Sequence, residues 1–412
     1  MMISLFRKEC SQTAKSLIYW LYIGCLVLFF QSQLGGQKIL TPPEEGQENY
    51  SQYGYSADIT EEDVMESGTG ELVWDYYYDN FVTYPVGYAK NVSLSSEEKE
   101  KIADMIYDLT GLRPEEIEAE IGAYYEEHDI QTEQYRVRIR KGLKYEEFLE
   151  DMTQVAKILG PGSFYTEERL WAQVKIPVDY EGAVKNYQDL IEKDGLTGGY
   201  ARLFCDYMGI LAGILPVFVT ATRMLRDKRA RMQELVFVRQ APSAVVMGSR
   251  YLALVCMHML PILLLSLLPT AECIRSGLAV RPDYLAWLKY DLGWLMPTVM
   301  AVVSVGMLCT ELTETALAVL VQTVWWFAGL MGGVTGLGGG MYGWNLVPRH
   351  NTEMNYAGFA EGFGQLAANR GFYAGLSLAV LVLVILIYER KRKGHLRRGG
   401  KILGNHKSTA AA

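Results

Sequence analysis

YLALVCMHMLPILLLSLLPTA, residues 251–271, runs for 21 residues without Asp, Glu, Lys or Arg. A helix of that length rises about 30 Å, the thickness of a bilayer's hydrocarbon, where only a helix or closed barrel satisfies its own backbone. The stretch reads as a membrane span, and the fold follows from finding its companions. Further charge-free stretches lie at 16–37, 207–222 (extendable back to Leu203 across Asp206), 292–310, within 315–348, and at 371–388. The first has an apolar core at 17–30, long for a signal peptide, and no Ala-x-Ala cleavage site, so it reads as an uncleaved anchor. The expected fold is an all-α polytopic membrane protein with six transmembrane helices.

Charge supplies the orientation. The chain has 412 residues, half of them hydrophobic and 21% charged, with a formal net charge of −8. That length allows two or three domains at about 150 residues each. Residues 38–199 hold 35 acidic against 15 basic side chains, whereas segments 1–16, 223–250, 310–314 and 389–412 together hold 18 basic and 6 acidic. Short loops keep positive charge on the cytoplasmic side. Both termini are therefore expected inside, and residues 38–200 outside as an extracellular domain inserted between the first and second spans. Residues 1–37 form an amphipathic start and the first span. The other five spans fall within 201–390, at about 203–222, 251–271, 290–310, 315–335 and 371–388, with a cytoplasmic loop at 223–250. Residues 391–412 are a basic tail. This partition excludes a disordered chain, a nucleic-acid binder with a general basic surface, and a disulfide-stapled secreted domain. The six cysteines offer neither a disulfide framework nor a C-x-x-C metal spacing, and 38–200 holds none of them.

The acidic segment reads as mainly helical. Ser95 or Ser96 caps a helix carrying Ile102, Ile106 and Leu109 that stops at Thr110-Gly111. Pro114 opens the next, with Ile117, Ile121 and Tyr124 on one face. Phe148, Met152, Val155 and Leu159 recur at helical spacing before Gly160, as do Ala183, Tyr187, Leu190 and Ile191 before Gly195. Tyr135 to Arg140 alternates like a short strand. The aromatic run Trp74, Tyr76, Tyr77, Tyr78, Phe81, Tyr84 and Tyr88 reads as module core, or as a recognition surface or headgroup belt. His128 follows a run of Glu and reads as a helix C-terminal residue.

The inner loop, RMLRDKRARMQELVFVRQAPSAVVMGSR at 223–250, has seven basic and two acidic residues. Met232, Leu235, Val236 and Val238 make a short amphipathic helix plausible, ended by Ala241-Pro242. A basic loop held by anionic lipid fits the same charge. Arg-Met-Gln-Glu-Leu at 231–235, the Pro242-Ser243 pair and Ser-Arg-Tyr-Leu-Ala at 249–253 resemble the permeases of ABC-2 type exporters. The start LFRKECSQTAKSLIYW (5–20) is similar to that family's interfacial helix, and the outer insertion to its subgroup with a large ectodomain. YARLFCDYMGILAGILPVF (200–218) resembles permeases of anaerobic Gram-positive bacteria.

The resemblance implies a multi-pass protein of a bacterial plasma membrane that moves a substrate by alternating access. Its partners would be a cytosolic ATPase, a second permease (identical or sister) and membrane lipids, with no nucleic acid. It also implies a coupling helix at about 227–240, with Lys228, Arg229, Arg231, Glu234 and Arg239 as candidate ATPase contacts. ATP and magnesium would sit on the ATPase, since this chain has no G-x-x-x-x-G-K-[ST] loop and no cofactor site of its own. The expected role is thus transport, not enzymatic. The alternative is a membrane-anchored binding or scaffold protein whose outer domain senses a ligand or surface partner.

Polar residues within spans mark a possible transmembrane site. Arg202 and Asp206 are expected to pair near the outer end of the second span, and His258 to be hydrogen-bonded inside the bundle. Glu311 and Glu314 fall in the inner turn between the fourth and fifth spans, as helix caps or ATPase contacts. Eight glycines occupy 329–343, with Gly332, Gly336 and Gly340 at four-residue spacing, which suits close helix contact or an irregular outer loop. ABC-2 permeases carry short re-entrant outer helices before the last span, and residues 344–363 are expected to supply one.

Overall fold

A computed structural model of the chain describes residues 1–47, 49–56, 58–85, 89–127, 135–232, 237, 241–332, 340 and 342–394. It divides into two compact units, Met1–Glu44 with Val184–Ala412, and Glu45–Ala183. In chain order, helices α1 (Met2–Ala14) and α2 (Leu17–Gln33) come first. Then follow α3 (Glu61–Tyr77), strands β1 (Phe81–Thr83) and β2 (Lys90–Val92), α4 (Ser96–Thr110), α5 (Pro114–Glu127), α6 (Tyr145–Leu159) and α7 (Glu167–Gln173). The remainder is α8 (Tyr180–Glu192), α9 (Thr197–Ala212), α10 (Pro216–Arg229), α11 (Ser243–Ser276), α12 (Ala286–Thr313), α13 (Leu317–Gly332) and α14 (Tyr356–Arg392).

The Glu45–Ala183 unit is helical for the reasons its sequence suggests. Reciprocal capping boxes start α3 (Thr60 with Asp63) and α4 (Ser95 with Glu98), and α4 stops at Gly111 in the left-handed region (φ 79°). Their inward faces meet in one core holding Val64, Leu72, Ile102, Ile106, Leu109, Phe148, Met152 and Val155. Tyr135 to Arg140 is irregular rather than a strand, and the one sheet among the described residues pairs β1 with β2 antiparallel, Val82 opposite Asn91. The aromatic run divides: Phe81 is buried and Trp74 and Tyr76 pack on the core, while Tyr77 and Tyr78 are exposed. Tyr88 and His128 lie outside the described residues.

The other unit is built of long apolar helices. Among the described residues three helices, α11, α12 and α14, are long and apolar enough to cross a membrane. The count becomes five if α1 with α2, bent by 70°, and α9 with α10, bent by 42°, are each one span. Pro216 opens α10, where its missing N–H costs nothing, so the second apolar stretch breaks at 213–215. The span expected at about 315–335 runs past the described residues: α13 is an apolar helix over Leu317–Leu330, and 333–339 lie outside them. No helix occupies 344–355. The segment is irregular, and the helix beginning at Tyr356 runs unbroken to Arg392. Residues 184–200, expected in the outer domain, belong to the apolar unit. Inward, Tyr22, Leu26, Met208, Met259, Leu295, Val303 and Val384 form its core. Outward, Leu260, Leu264 and Leu268 on α11 and Leu378, Val382 and Leu386 on α14 stand exposed at four-residue intervals. Apolar stripes left open on this scale fit contact with lipid tails.

In the smaller unit, the Tyr165 hydroxyl donates to Asp75 at 2.6 Å. Burial pushes the Asp75 carboxyl up to about 6, although the Tyr165 bond pulls it down. Burial, with Asp108 and Glu150 nearby, pushes Asp151 up to about 6 as well. The folded state thus holds protons that an unfolded carboxyl releases near pH ~4, and stability falls as pH rises from about 4 to about 6. Asp75→Asn, which can still accept from Tyr165, should stabilise α3 by an amount that grows by about 1–2 kcal/mol between about pH 4 and about pH 7, discounted for partial exposure. Amide exchange across Glu61–Tyr77, variant against parent at each pH, checks this. A pH-independent difference would mean that Asp75 stays ionised.

Candidate functional site

The start of α9, Thr197-Gly198-Gly199-Tyr200-Ala201-Arg202, combines small residues with one long cation. Small size is required at Gly199, since a Cβ there would lie 2.5 Å from the Glu353 carbonyl oxygen. That close approach brings residues 342–355 against α9. Arg202, 0% exposed, forms a bidentate pair with Asp194 (Nη1–Oδ1 and Nη2–Oδ2, both 2.6 Å) and also donates to the Glu353 and Met354 carbonyls at 3.1 and 3.4 Å. Its guanidinium lies 4.5 Å from the Phe359 ring centre.

One turn on, Asp206 is equally buried and does not pair with Arg202 as expected. Its Oδ1 accepts the His350 N–H and its Oδ2 the Asn351 N–H, each at 2.7 Å. Asn351 and Asn355 have positive φ (65° and 56°), so the chain curls around the carboxylate as anion-binding backbone turns do. The His350 ring bridges Tyr342 (Nδ1 to Oη, 2.8 Å) and the Met354 carbonyl (Nε2, 3.1 Å). A carbonyl only accepts, so Nε2 carries the proton and Nδ1 takes the tyrosine's.

From α14, Arg370 donates to the Asn345 and Leu346 carbonyls (both 3.2 Å), to the Trp294 carbonyl (3.0 Å) and to the Thr298 hydroxyl (2.7 Å). It has no carboxylate partner among the described residues. Asn369 reaches the Gly343 and Asn345 carbonyls, Tyr373 that of Trp344, and Trp294 that of Pro348. Beside this layer α12 carries a π-helical turn, Asp291–Leu295. There Asp291 accepts from Ser266 at 2.5 Å and from the Cys205 thiol at 3.8 Å. The common feature is a non-helical backbone inside an apolar bundle, bonded by side chains of three helices.

A second cluster joins the C-terminal ends of α10, α12 and α14 to α1 and to the early turns of α11. Glu9 of α1 bonds Arg223 (2.5 Å) and Arg250 (3.4 Å), and Arg250 bonds Asp227 (2.7 Å). Lys228 meets Glu314 (2.9 Å), which with Glu311 also holds Lys391 (3.1 and 3.5 Å). Arg392 donates to the carbonyls of Phe237 and Ala241 at 2.9 and 2.7 Å.

The residues singled out in the sequence fall as follows. Lys228 and Arg229 end α10 rather than opening a separate helix, because α10 continues to Arg229 and the chain turns at Arg231 (φ 54°). Lys228 is engaged inside the chain, while Arg229 is exposed. Glu234 and Arg239 lie outside the described residues. Glu311 and Glu314 are ion-pair partners of Lys391. His258 is buried, with Nδ1 donating to the Leu254 carbonyl at 2.6 Å, its ring edge-on to Tyr22 and Nε2 without a hydrogen-bond partner. It shares no bond with Arg202 or Asp206. Asp194, Arg370, Asn369, Asp291, Glu9 and Arg250 were missed; of these, Arg250, Asp291 and Arg370 each lie one residue outside a charge-free window.

Arg202→Gln should destabilise the unit by about 3–5 kcal/mol, because it strands Asp194 as a buried unpaired charge. Adding Asp194→Asn should recover more than half of the loss. Thermal unfolding of the full chain in detergent reads both, and a double variant no better than the single would contradict the pairing.

No protein-family model matches the chain, and no curated protein or solved structure is detectably similar to it.

Proposed function

We propose that the chain is the permease subunit of an ATP-driven ABC-2 type exporter in a bacterial plasma membrane. In this reading it pairs with itself or a sister permease, keeps both termini in the cytosol, and leaves ATP and magnesium to a separate ATPase. The observation that carries the reading is the ionic cluster of Glu9, Arg223, Asp227, Arg250, Glu311, Glu314 and Lys391. It ties α1, α10, α11, α12 and α14 to one another, and Arg392 ties them to the stretch after α10.

Ion pairs this buried gain little net stability, because desolvation offsets their attraction. They do fix relative position, and a push on residues 230–242 would reach all five helices together. That is what rigid-body alternating access requires of a permease's inner end. The apolar outward faces and the amphipathic α1, set at 70° to α2, agree with a polytopic protein whose first helix lies along the membrane surface. An independent core in the Glu45–Ala183 unit is what favours the second reading, a membrane-anchored binding or scaffold protein.

Affinity capture separates the two. An ATPase should copurify with the full chain, and Glu234→Arg should cut its recovery by about tenfold or more, since charge reversal at a dock costs at least ~1.4 kcal/mol. Undiminished recovery, or function surviving a charge-preserving scramble of 227–240, would favour the scaffold. A tag near Lys228 should be unreachable by membrane-impermeant reagents in intact cells, and labelling there would overturn the orientation.

A further inference from the structure

The bend between α1 and α2 opens a cavity of about 460 Å³ against the last turns of α10. Its wall includes Lys15, Arg223, Arg226 and Arg229, with Ser16 and Thr222 beside them, while the Thr13 hydroxyl is spent on the Glu9 carbonyl at 2.9 Å. Charge here is unbalanced. Arg223 is compensated by Glu9 and Asp227, whereas Lys15, Arg226 and Arg229 form no ion pair among the described residues. Arg223, 6% exposed, has Nε and Nη1 without hydrogen-bond partners. Arg223 Nη2 donates to the Oε1 of Gln12, also in the wall, at 2.5 Å, so Gln12 adds no free acceptor. Ser16 is the N-cap of the 17-residue α2, and its hydroxyl caps no backbone N–H. The positive end of that helix therefore adds to the field of the three uncompensated cations.

We propose that this cavity holds a phosphate group, carried on an anionic lipid headgroup. Donors and positive charge without a carboxylate to spare suit a phosphate diester. The lipid source follows from the surroundings. From the cavity's edge α2 continues with Leu17, Trp20 and Leu21 exposed at 76%, 60% and 56%, an apolar face on which acyl chains can lie. Trp20 Nε1 donates to the Ala14 carbonyl across the bend, which places an amphipathic ring beside the cavity, as at a bilayer's headgroup level. The site needs neither an ATPase nor transport, so it stands apart from the reading above.

The full chain is reconstituted in nanodiscs of equal parts phosphatidylglycerol and phosphatidylcholine and re-extracted in mild detergent, and its retained lipid is weighed by native mass spectrometry. The parent should keep phosphatidylglycerol over phosphatidylcholine. The Arg226→Gln/Arg229→Gln variant, which alters exposed side chains only, should lose that preference by about tenfold or more. Lys15→Gln should lose it in part, and an unchanged size-exclusion profile shows that the fold survives. Equal retention of the two lipids by the parent, or undiminished phosphatidylglycerol on the double variant, would overturn the proposal. So would saturable binding of inorganic phosphate to protein in phosphatidylcholine nanodiscs without any preference for phosphatidylglycerol, which would assign the cavity to a free anion.

Discussion

A stretch of unwound backbone inside an apolar bundle has to find a partner for every N–H and C=O it presents, and residues 342–355 impose that demand on this chain. Each unmet group would cost roughly 2–7 kcal/mol in a hydrocarbon surrounding. The demand is met largely from outside the segment, with the His350 ring serving the Met354 carbonyl from within it. Asp206 takes two adjacent N–H groups, while Arg202, Arg370 and Asn369 supply the carbonyls. The charged residues on α9 and α14 thus have a structural explanation before any other, and it accounts for their chemistry: acceptors where amides point, donors where carbonyls point. Arg370 without a carboxylate fits the same logic, since its fork is filled by neutral oxygens from two directions.

The second polar cluster works differently. Its members are charged on both sides, and its ion pairs run between helices, with Arg392 alone turned to the backbone carbonyls of Phe237 and Ala241. α1 is held only a bend away from α2, yet Glu9 fastens it to α10 and α11. Replacing such a cluster with well-packed apolar groups would often be neutral for stability. Its presence is better understood as fixing which helices share a position, and in the proposed permease that shared position is where force would enter.

Much of this was legible in the sequence, for physical reasons that differ by region. Helices of the Glu45–Ala183 unit announced themselves because water on one side and a core on the other impose a 3.6-residue pattern. Ser95, Gly111 and Pro114 fall where capping chemistry puts them. The long spans were equally plain, as α11 shows. Composition alone could not show that the second stretch bends at Pro216, since lipid-facing and buried residues are both apolar. The partners of Arg202 and Asp206 were illegible because they are not neighbours in sequence. Asp194 was eight residues away on the wrong side of an assumed boundary, and the amides of His350 and Asn351 belong to residues whose side chains gave no hint. A helical-wheel argument pairs i with i+4, and here tertiary demand overrode it. Lys228 misled for a related reason: a basic residue near a helix end looks free until a distant Glu314 claims it.

The spacing of the two polar layers ties these observations together. Along α14 the 21 residues from Arg370 to Lys391 rise about 31 Å, and along α12 the 20 from Asp291 to Glu311 about 30 Å. On α11 Ser266 and Arg250 are separated by about 24 Å. These lengths approach the ~30 Å of a hydrocarbon slab, and in the proposed membrane protein the clamped segment and the ionic cluster would fall near its two faces with the apolar core between them. His258, eight residues from both Arg250 and Ser266, then sits near mid-depth, where it is enclosed by Tyr22 and its own helix. Because α12 and α14 are each anchored at both layers, neither can tilt at one face without disturbing bonds at the other. In the proposed exporter that rigidity is the means by which a movement begun among Glu314, Lys391 and their neighbours would be felt by the backbone wrapped around Asp206.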